Sequence, residues 1–178
     1  TAAVKAVVDI PVIPKLTPNT PDIAKIATAA IAGGADGLCA INTLGPGYTS
    51  AHGHPVLSNG NGGMSGKGIL PIGLKCVRDI RAVTDCPIIG CGGVSSADDV
   101  RAYFDAGATV VGVGSSLTGL TTDEISAYFQ TLSNDLATGH NRAESHIRYD
   151  IDMSFRPVTL VATTRVCDDI ALLTFDRK

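Results

Sequence analysis

The sequence contains few aromatic residues and no cluster of positive charge. It has no tryptophan, and aromatic residues make up only 4 % of its 178 residues. The interior therefore has to be built from alanine, valine, isoleucine and leucine, which is typical of α/β proteins. Lysine and arginine number 14 against 17 acidic residues and form no basic run, which argues against nucleic acid as a partner.

Long hydrophobic runs and an even set of cysteines are also missing. No apolar stretch approaches the roughly 20 residues that span a bilayer, and no signal peptide opens the chain, so we expect no membrane partner. We interpret most of the five cysteines as small buried hydrophobic residues of a cytoplasmic, reducing environment. His52 and His54 have no third ligand at useful spacing, so we predict no metal site.

The chain does contain a repeat, in which a short apolar run is followed by a helical pattern. We predict strands over residues 10–16, 37–42, 87–92 and 110–115. Helices are predicted after each strand, with starts marked by Thr20, Pro71, Ser95 or Ser96, and Thr121. Because the strands are continuously apolar rather than alternating, they indicate a parallel sheet covered by helices.

Two of these strands end in glycine-rich turns. The segments PIIGCGGV (87–94) and VVGVGSS (110–116) leave backbone N–H groups that no Cβ covers, at Gly92 and Gly93 and again at Gly114 and Ser115. Backbone amides beside helix N-termini bind phosphate. In a (β/α)8 barrel the phosphate site follows strands seven and eight. The two turns therefore predict a phosphate site at the end of a barrel.

Four β-α units make half of an eight-stranded barrel. We predict an α/β fold in which residues 1–136 form the C-terminal half of a (β/α)8 TIM barrel, 137–156 a linker and 157–178 a short β-hairpin segment. A half-barrel leaves two unpaired sheet edges. We therefore expect that the first half is missing from this sequence or that two chains complete each other.

Polar residues at the other strand ends face the same mouth. Lys15 ends an apolar strand, where a cation is costly unless it faces a negative charge, as on a reduced flavin or an enolate. The alternative is a surface lysine. Asn42 and Thr43 can hydrogen-bond a polar ring or a carboxylate, or simply form a strand-ending turn. Gly66, in the long loop 43–68, allows the backbone to approach a flat ligand.

Five motifs together resemble those of the class 1 dihydroorotate dehydrogenases. They occur in that family's order and approximate spacing: KLTPN (15–19), GADG with INT (34–37 and 41–43), SNGNGGMSG (58–66), PIIGCGGV (87–94) and AGATVVGVGSS (106–116). Within the class, KL-PN and INT are most similar to the enzymes whose electrons leave through a separate flavin and iron–sulfur subunit.

The resemblance implies an FMN enzyme of pyrimidine biosynthesis that oxidises dihydroorotate to orotate, with hydride passing to flavin N5. Lys15 would contact the isoalloxazine ring and stabilise its anionic reduced form, and Ile41 would pack beside it. Asn42 and Thr43 would hydrogen-bond dihydroorotate or orotate. The remaining flavin contacts would be Gly66 against the FMN and, around its phosphate, Gly92, Gly93, Gly114 and Ser115.

The family's catalytic base does not correspond to any residue of this chain. It is a cysteine or serine on a loop that lies upstream of KLTPN, and none of the five cysteines matches it. We therefore assign no catalytic residue and expect the base upstream of Thr1. Because the first flavin contacts and further substrate asparagines would also lie there, we expect the chain to carry half a flavin site and to be inactive alone.

The tail carries a second, shorter resemblance. Residues 157–176 read as two strands, 158–163 and 170–175, joined by a polar turn. They look like the opening of a ferredoxin-reductase-type FAD domain. This implies an electron-transfer module with FAD and an iron–sulfur cluster, as a partner or as a region downstream. The alternative is a C-terminal hairpin that packs on the barrel.

Two other functions stay open at this point. The pyrimidine domain of dihydropyrimidine dehydrogenase shares the barrel, KL-PN and the GG motifs, but acts on uracil or thymine. A flavin-free phosphate-sugar isomerase or synthase barrel uses the same phosphate site without needing Lys15 and INT together. A homo-oligomer is implied by the resemblance. The residues that select the electron acceptor, whether NAD, fumarate or another, lie mostly outside this chain.

Overall fold

The computed structural model describes residues 1–48, 50–138, 159–167 and 170–176. The chain divides into two units, Thr1–Gly139 and His140–Lys178. The strands are β1 (Lys15–Leu16), β2 (Leu38–Ala40), β3 (Leu44–Tyr48), β4 (Ser50–Ala51), β5 (His54–Pro55), β6 (Asn61–Met64), β7 (Ile88–Cys91), β8 (Val110–Gly112), β9 (Thr159–Cys167) and β10 (Ile170–Asp176). The helices are α1 (Ala2–Lys5), α2 (Ile23–Ala32), α3 (Leu70–Arg81), α4 (Ala97–Asp105) and α5 (Thr122–Ala137).

A parallel sheet with the order β1-β2-β7-β8 organises the first unit. Cys39 pairs with Lys15 on one side and with Ile89 on the other, and Ile89 pairs in turn with Val110. Helices α2, α3, α4 and α5 each follow one of these strands in the sequence. The predicted four β-α units of a partial (β/α)8 barrel are therefore confirmed.

The core lies between the sheet and its helices. Leu38 and Ile88, at neighbouring positions in β2 and β7, are completely buried. Val77 and Ile80 of α3 are equally buried and belong to the same cluster. A shift of one residue in the strand register would turn these large side chains away from the helices, so their burial favours the observed register. The same register fixes where the strand ends meet.

Two local predictions were wrong in detail. The first strand is only Lys15–Leu16 rather than residues 10–16. Helix α2 is capped by Asp22, whose Oδ1 accepts from the Lys25 N–H at 3.0 Å, rather than by Thr20. Thr20 instead accepts from the Asp22 N–H at 3.3 Å, in the turn before the cap. The predicted caps Ser96 and Thr121 are confirmed as members of capping boxes.

The long segment 43–68, interpreted as a loop, contains antiparallel ribbons. Strand β3 pairs with β6, so that Leu44 lies opposite Met64 and Tyr48 opposite Asn61. Strands β4 and β5 pair beyond it as a short ribbon. Two single-turn 3-10 helices, Lys67–Ile69 and Ser115–Leu117, precede α3 and follow β8. The first of them returns the chain to the barrel.

The second unit contains an antiparallel hairpin of β9 and β10. The predicted hairpin is confirmed, but β9 continues to Cys167, so most of the expected polar turn belongs to the strand. Ala137, the first residue of the predicted linker, ends α5. Residues 139–156 of the predicted linker lie outside the described part of the chain. In the described part of the chain, each helix is too short or too polar to span a lipid bilayer.

Candidate functional site

A cavity of about 300 Å³ opens where the four parallel strands of the sheet end. Parallel strands bring their carboxyl ends to one edge of a sheet, which is where ligands bind in α/β folds. Eight of the nine predicted site residues line this cavity: Lys15, Ile41, Asn42, Thr43, Gly92, Gly93, Gly114 and Ser115. The ninth, Gly66, does not line it, although its neighbour Ser65 does.

The turn after β7 requires glycine twice. Gly92 and Gly93 have φ angles of +123° and +77°, which side-chain-bearing residues rarely adopt. A Cβ on Gly93 would lie 2.7 Å from the Leu70 nitrogen and 2.9 Å from the Gly66 oxygen. The Gly66 carbonyl therefore packs against this turn, and the contact of Gly66 with FMN that the resemblance implies stays a prediction.

The turn after β8 is more open. An added Cβ on Gly114 would meet no atom within 4 Å, and Gly114 and Ser115 are both exposed. The Ser116 hydroxyl donates to the Val94 carbonyl at 2.6 Å, which ties this turn to the one after β7. Two glycine-containing turns are thus held side by side, with backbone N–H groups beside a short helix start that can bind an anion.

Lys15 supplies the positive charge of the cavity wall. The residue is exposed at the end of β1, and among the described residues it forms no hydrogen bond or ion pair. Its Cα pairs with that of Cys39 in β2. An ammonium that is not neutralised by a neighbouring carboxylate can interact with an anionic ligand at the cavity mouth.

Asn42 and Thr43 are exposed at the end of β2, and other residues hold their backbone in place. The Asn42 Oδ1 accepts from the Thr43 N–H at 3.0 Å. Asn19, from the KLTPN motif, donates from Nδ2 to the Thr43 carbonyl at 3.2 Å and accepts from the Gly45 N–H at 2.9 Å. A Cβ on Gly63 would lie 1.9 Å from the Thr43 Oγ1, so β6 packs directly on that side chain.

Two cysteines of the cavity wall were not predicted as site residues. The Sγ atoms of Cys39 and Cys91 are 3.6 Å apart, and both residues are half-buried. The hydrogen bond between the two thiols, opposed by burial and helped by the Lys15 charge, lowers the pKa of Cys91 to about 6. The same hydrogen bond raises the pKa of Cys39. These two cysteines are therefore polar groups of the cavity, and not simply buried hydrophobic residues.

A buried carboxylate anchors the helix beside the glycine turn. Asp99 of α4 is 5 % exposed and accepts from the Ser95 and Ser96 N–H groups at 2.9 and 3.1 Å. It also pairs with Lys67, at the end of the long segment. Burial acts to raise the Asp99 pKa, but the hydrogen bonds from Lys67, Ser95 and Ser96 outweigh it and leave that pKa below its ordinary value.

Among the described residues, the cavity therefore combines the Lys15 cation with backbone N–H groups of the two glycine turns and with amide and hydroxyl groups. This donor set suits an elongated ligand with an anionic end and a polar ring. Among the described residues, no group of three or more histidine, cysteine, aspartate or glutamate side chains is placed to hold a metal ion.

Comparison with known proteins identifies a family. The model of the family described as Dihydroorotate dehydrogenase matches residues 1–133. The catalytic subunit of dihydroorotate dehydrogenase B (NAD(+)) from Methanosarcina acetivorans is 50 % identical over 118 residues, which are 66 % of this chain and 38 % of that protein. Dihydroorotate dehydrogenase A (fumarate) from Lactiplantibacillus plantarum is 50 % identical over 120 residues, 67 % of this chain and 39 % of that protein.

The chain thus spans less than two fifths of the length of these curated relatives. The matched region includes all four parallel strands and every residue of the cavity wall. Relatives of both the A and B types are similar to it to the same degree. The chain belongs to the dihydroorotate dehydrogenase family, in its class 1 branch.

Proposed function

We propose that this chain carries the FMN-binding part of an enzyme that oxidises dihydroorotate to orotate in pyrimidine biosynthesis. One observation carries the proposal: Lys15, the Asn42–Thr43 pair and both glycine turns line a single cavity at the strand ends. Family membership supports the same reaction. The substrate chemistry also fits, because a ring with amide and carboxylate groups needs donors and acceptors of the kind that Asn42 and Thr43 offer.

FMN fits the residues at both ends of the cavity. At one end, Gly93, Gly114 and Ser115 would hold the phosphate through their backbone N–H groups, since none of these positions puts a bulky side chain over them. At the other end, Ile41 would pack beside the flavin ring, and the Lys15 charge would favour an anionic ring. When bound, FMN supplies the hydride acceptor.

Within this chain, the residues at the cavity bind and orient rather than transfer protons. Asn42 and Thr43 would hold the substrate ring in place, and Asn19 keeps the backbone of that pair fixed. We propose that the general base lies upstream of Thr1, as the resemblance implies. The isolated chain is therefore expected to bind flavin without oxidising dihydroorotate.

The remaining parts of the proposal concern the larger assembly. Residues 1–136 would form the barrel half, 137–156 a linker and 157–178 the start of an FAD-binding reductase domain. An FAD and iron–sulfur module would accept the electrons, in line with the catalytic-subunit names of several relatives. We further propose a cytoplasmic homo-oligomer. The free cysteines of the cavity suit a reducing compartment.

Binding of FMN and of riboflavin to the 178-residue chain tests the phosphate end. Ser115 is exposed and lines the cavity. Ser115→Asp adds a negative charge beside the phosphate, whereas Ser115→Asn adds a neutral side chain of the same size. We expect the aspartate variant to bind FMN at least about tenfold more weakly than the asparagine variant, because like charges a few ångströms apart repel. Riboflavin, which has no phosphate, should bind both variants alike.

The outcomes separate the proposal from its alternatives. Equal FMN binding by the two Ser115 variants would contradict a phosphate at this turn. A chain that binds a sugar phosphate but neither FMN nor riboflavin would indicate a flavin-free barrel. A change in the bound-flavin spectrum on adding uracil, but not orotate, would favour a pyrimidine reductase of the dihydropyrimidine dehydrogenase type.

A further inference from the structure

We propose that Tyr103, which does not line the cavity, is a positioning residue for its phosphate end. Its hydroxyl group fixes the peptide unit between Gly92 and Gly93, so that the Gly93 N–H faces the ligand. This inference rests on the proposed function, because it assigns the anion at this turn to the FMN phosphate.

The contact itself is short and enclosed. Tyr103 lies on α4, is completely buried, and donates from its hydroxyl group to the Gly92 carbonyl at 2.8 Å. Burial raises the pKa of Tyr103, so the hydroxyl group keeps its proton and remains a donor. Gly92 and Gly93, by contrast, both contribute to the cavity wall. The hydrogen bond therefore connects the helix layer to the backbone that faces the ligand.

The geometry of the peptide unit determines the direction of the Gly93 N–H once the Gly92 carbonyl is held by Tyr103. The C=O of Gly92 and the N–H of Gly93 belong to one planar trans unit and point in opposite directions. A carbonyl that is held toward Tyr103 therefore turns the Gly93 N–H away from α4 and toward the cavity. No described residue accepts a hydrogen bond from that N–H group, so it is available to an anion.

Because Gly92 and Gly93 flank this peptide unit, the Tyr103 hydroxyl group is needed to fix its orientation. A peptide unit between two glycines can rotate with little steric resistance, because neither residue has a Cβ. One hydrogen bond to the carbonyl selects the orientation in which the donor faces the ligand, before any ligand arrives.

Two glycines on neighbouring elements leave space for the phenol group of Tyr103. A Cβ on Gly73 of α3 would lie 2.0 Å from the Tyr103 hydroxyl oxygen, and a Cβ on Gly90 of β7 would lie 2.5 Å from its ring. Gly73 stands inside a helix, where glycine is unfavourable relative to alanine. Two separate elements thus omit a side chain where the tyrosine ring and hydroxyl group lie.

The test compares FMN with riboflavin in the wild-type chain, in Tyr103→Phe and in Tyr128→Phe. Tyr103→Phe keeps the ring and removes the hydroxyl group. We expect it to weaken FMN binding by about three- to tenfold, the size of one neutral hydrogen bond, and to leave riboflavin binding within about twofold. Tyr128→Phe is the matched control, because the buried Tyr128 hydroxyl group has no hydrogen-bond partner among the described residues. It should change neither affinity.

Two further measurements complete the test. Gly73→Ala should displace the hydroxyl group and give the same FMN-selective loss as Tyr103→Phe. In the ligand-free chain, the amide resonance of Gly93 should shift in Tyr103→Phe more than that of Gly114. If Tyr103→Phe lowers the FMN and riboflavin affinities equally, or leaves the FMN affinity unchanged, the inference is overturned. A wild-type chain that binds FMN no more tightly than riboflavin would refute the proposed function, and the Gly93 resonance would then decide whether Tyr103 orients the peptide.

Discussion

Alanine substitutions at three glycines around the cavity should destabilise the chain by clearly different amounts. Gly68 has space for a Cβ and no positive φ angle. Gly66 also has space, but its φ and ψ angles of +90° and −173° are accessible essentially only to glycine. Gly93 combines a φ angle of +77° with three atoms that lie within 3.0 Å of an added Cβ. The three positions therefore separate backbone strain from steric overlap.

The expected free energies of unfolding follow from these differences. Gly68→Ala should be neutral or stabilise the chain by up to about 1 kcal/mol, because alanine restricts the unfolded state. Gly66→Ala should cost about 1–3 kcal/mol of backbone strain. Gly93→Ala should cost roughly 2–5 kcal/mol, since overlap with Leu70 and Gly66 adds about 1–3 kcal/mol to a strain of about 1–2 kcal/mol.

Urea unfolding followed by circular dichroism measures these values, provided that the three variants share the wild-type dependence on urea. The order Gly68→Ala, then Gly66→Ala, then Gly93→Ala in increasing cost supports the described turn. A Gly93→Ala variant that is as stable as Gly68→Ala would refute the close packing of the turn against the start of α3.

Two more predictions concern the charged groups near the cavity. Asp99→Asn should lower the free energy of unfolding by about 1.5–3 kcal/mol near neutral pH. Because the folded-state pKa of Asp99 is lowered, the carboxylate stabilises the chain above about pH 4 and loses this effect as the pH falls through the lowered pKa. The difference from wild type in urea unfolding should therefore shrink in acid, and a difference that does not change with pH would contradict this reasoning. The rate at which Cys91 reacts with iodoacetamide, followed by mass spectrometry, should rise with pH with a midpoint near the Cys91 pKa of about 6. Cys39→Ala removes the hydrogen bond between the two thiols and should raise that midpoint. An unchanged midpoint would contradict the pairing of Cys39 with Cys91.

The sequence was sufficient to predict which strand ends line the cavity, because parallel strands end at one edge of the sheet. Four parallel strands have only one carboxyl edge, so Lys15, Asn42 and the glycine turns had to meet once the β-α repeat was recognised. The turn glycines were also predictable, since a GG pair after a strand favours positive φ angles. These inferences need the order of the elements but not their packing.

Other features depend on register and packing, which the sequence does not display. Cys39 and Cys91 are 52 residues apart, and only the alignment of β2 with β7 brings their Sγ atoms together. The β3–β6 ribbon uses glycine-rich segments that have little strand propensity of their own, so its pairing was missed. Thr20 and Asp22 are both good helix caps, and the local turn decides between them.

Backbone amide spectra of the isotope-labelled chain show directly whether the two glycine turns bind phosphate. We expect FMN to shift the amide resonances of Gly93, Gly114 and Ser115, and riboflavin to leave these three in place while it shifts resonances near Lys15 and Ile41. FMN that binds without moving the amides of the two glycine turns, or that moves them no more than riboflavin does, would contradict a phosphate site at these strand ends.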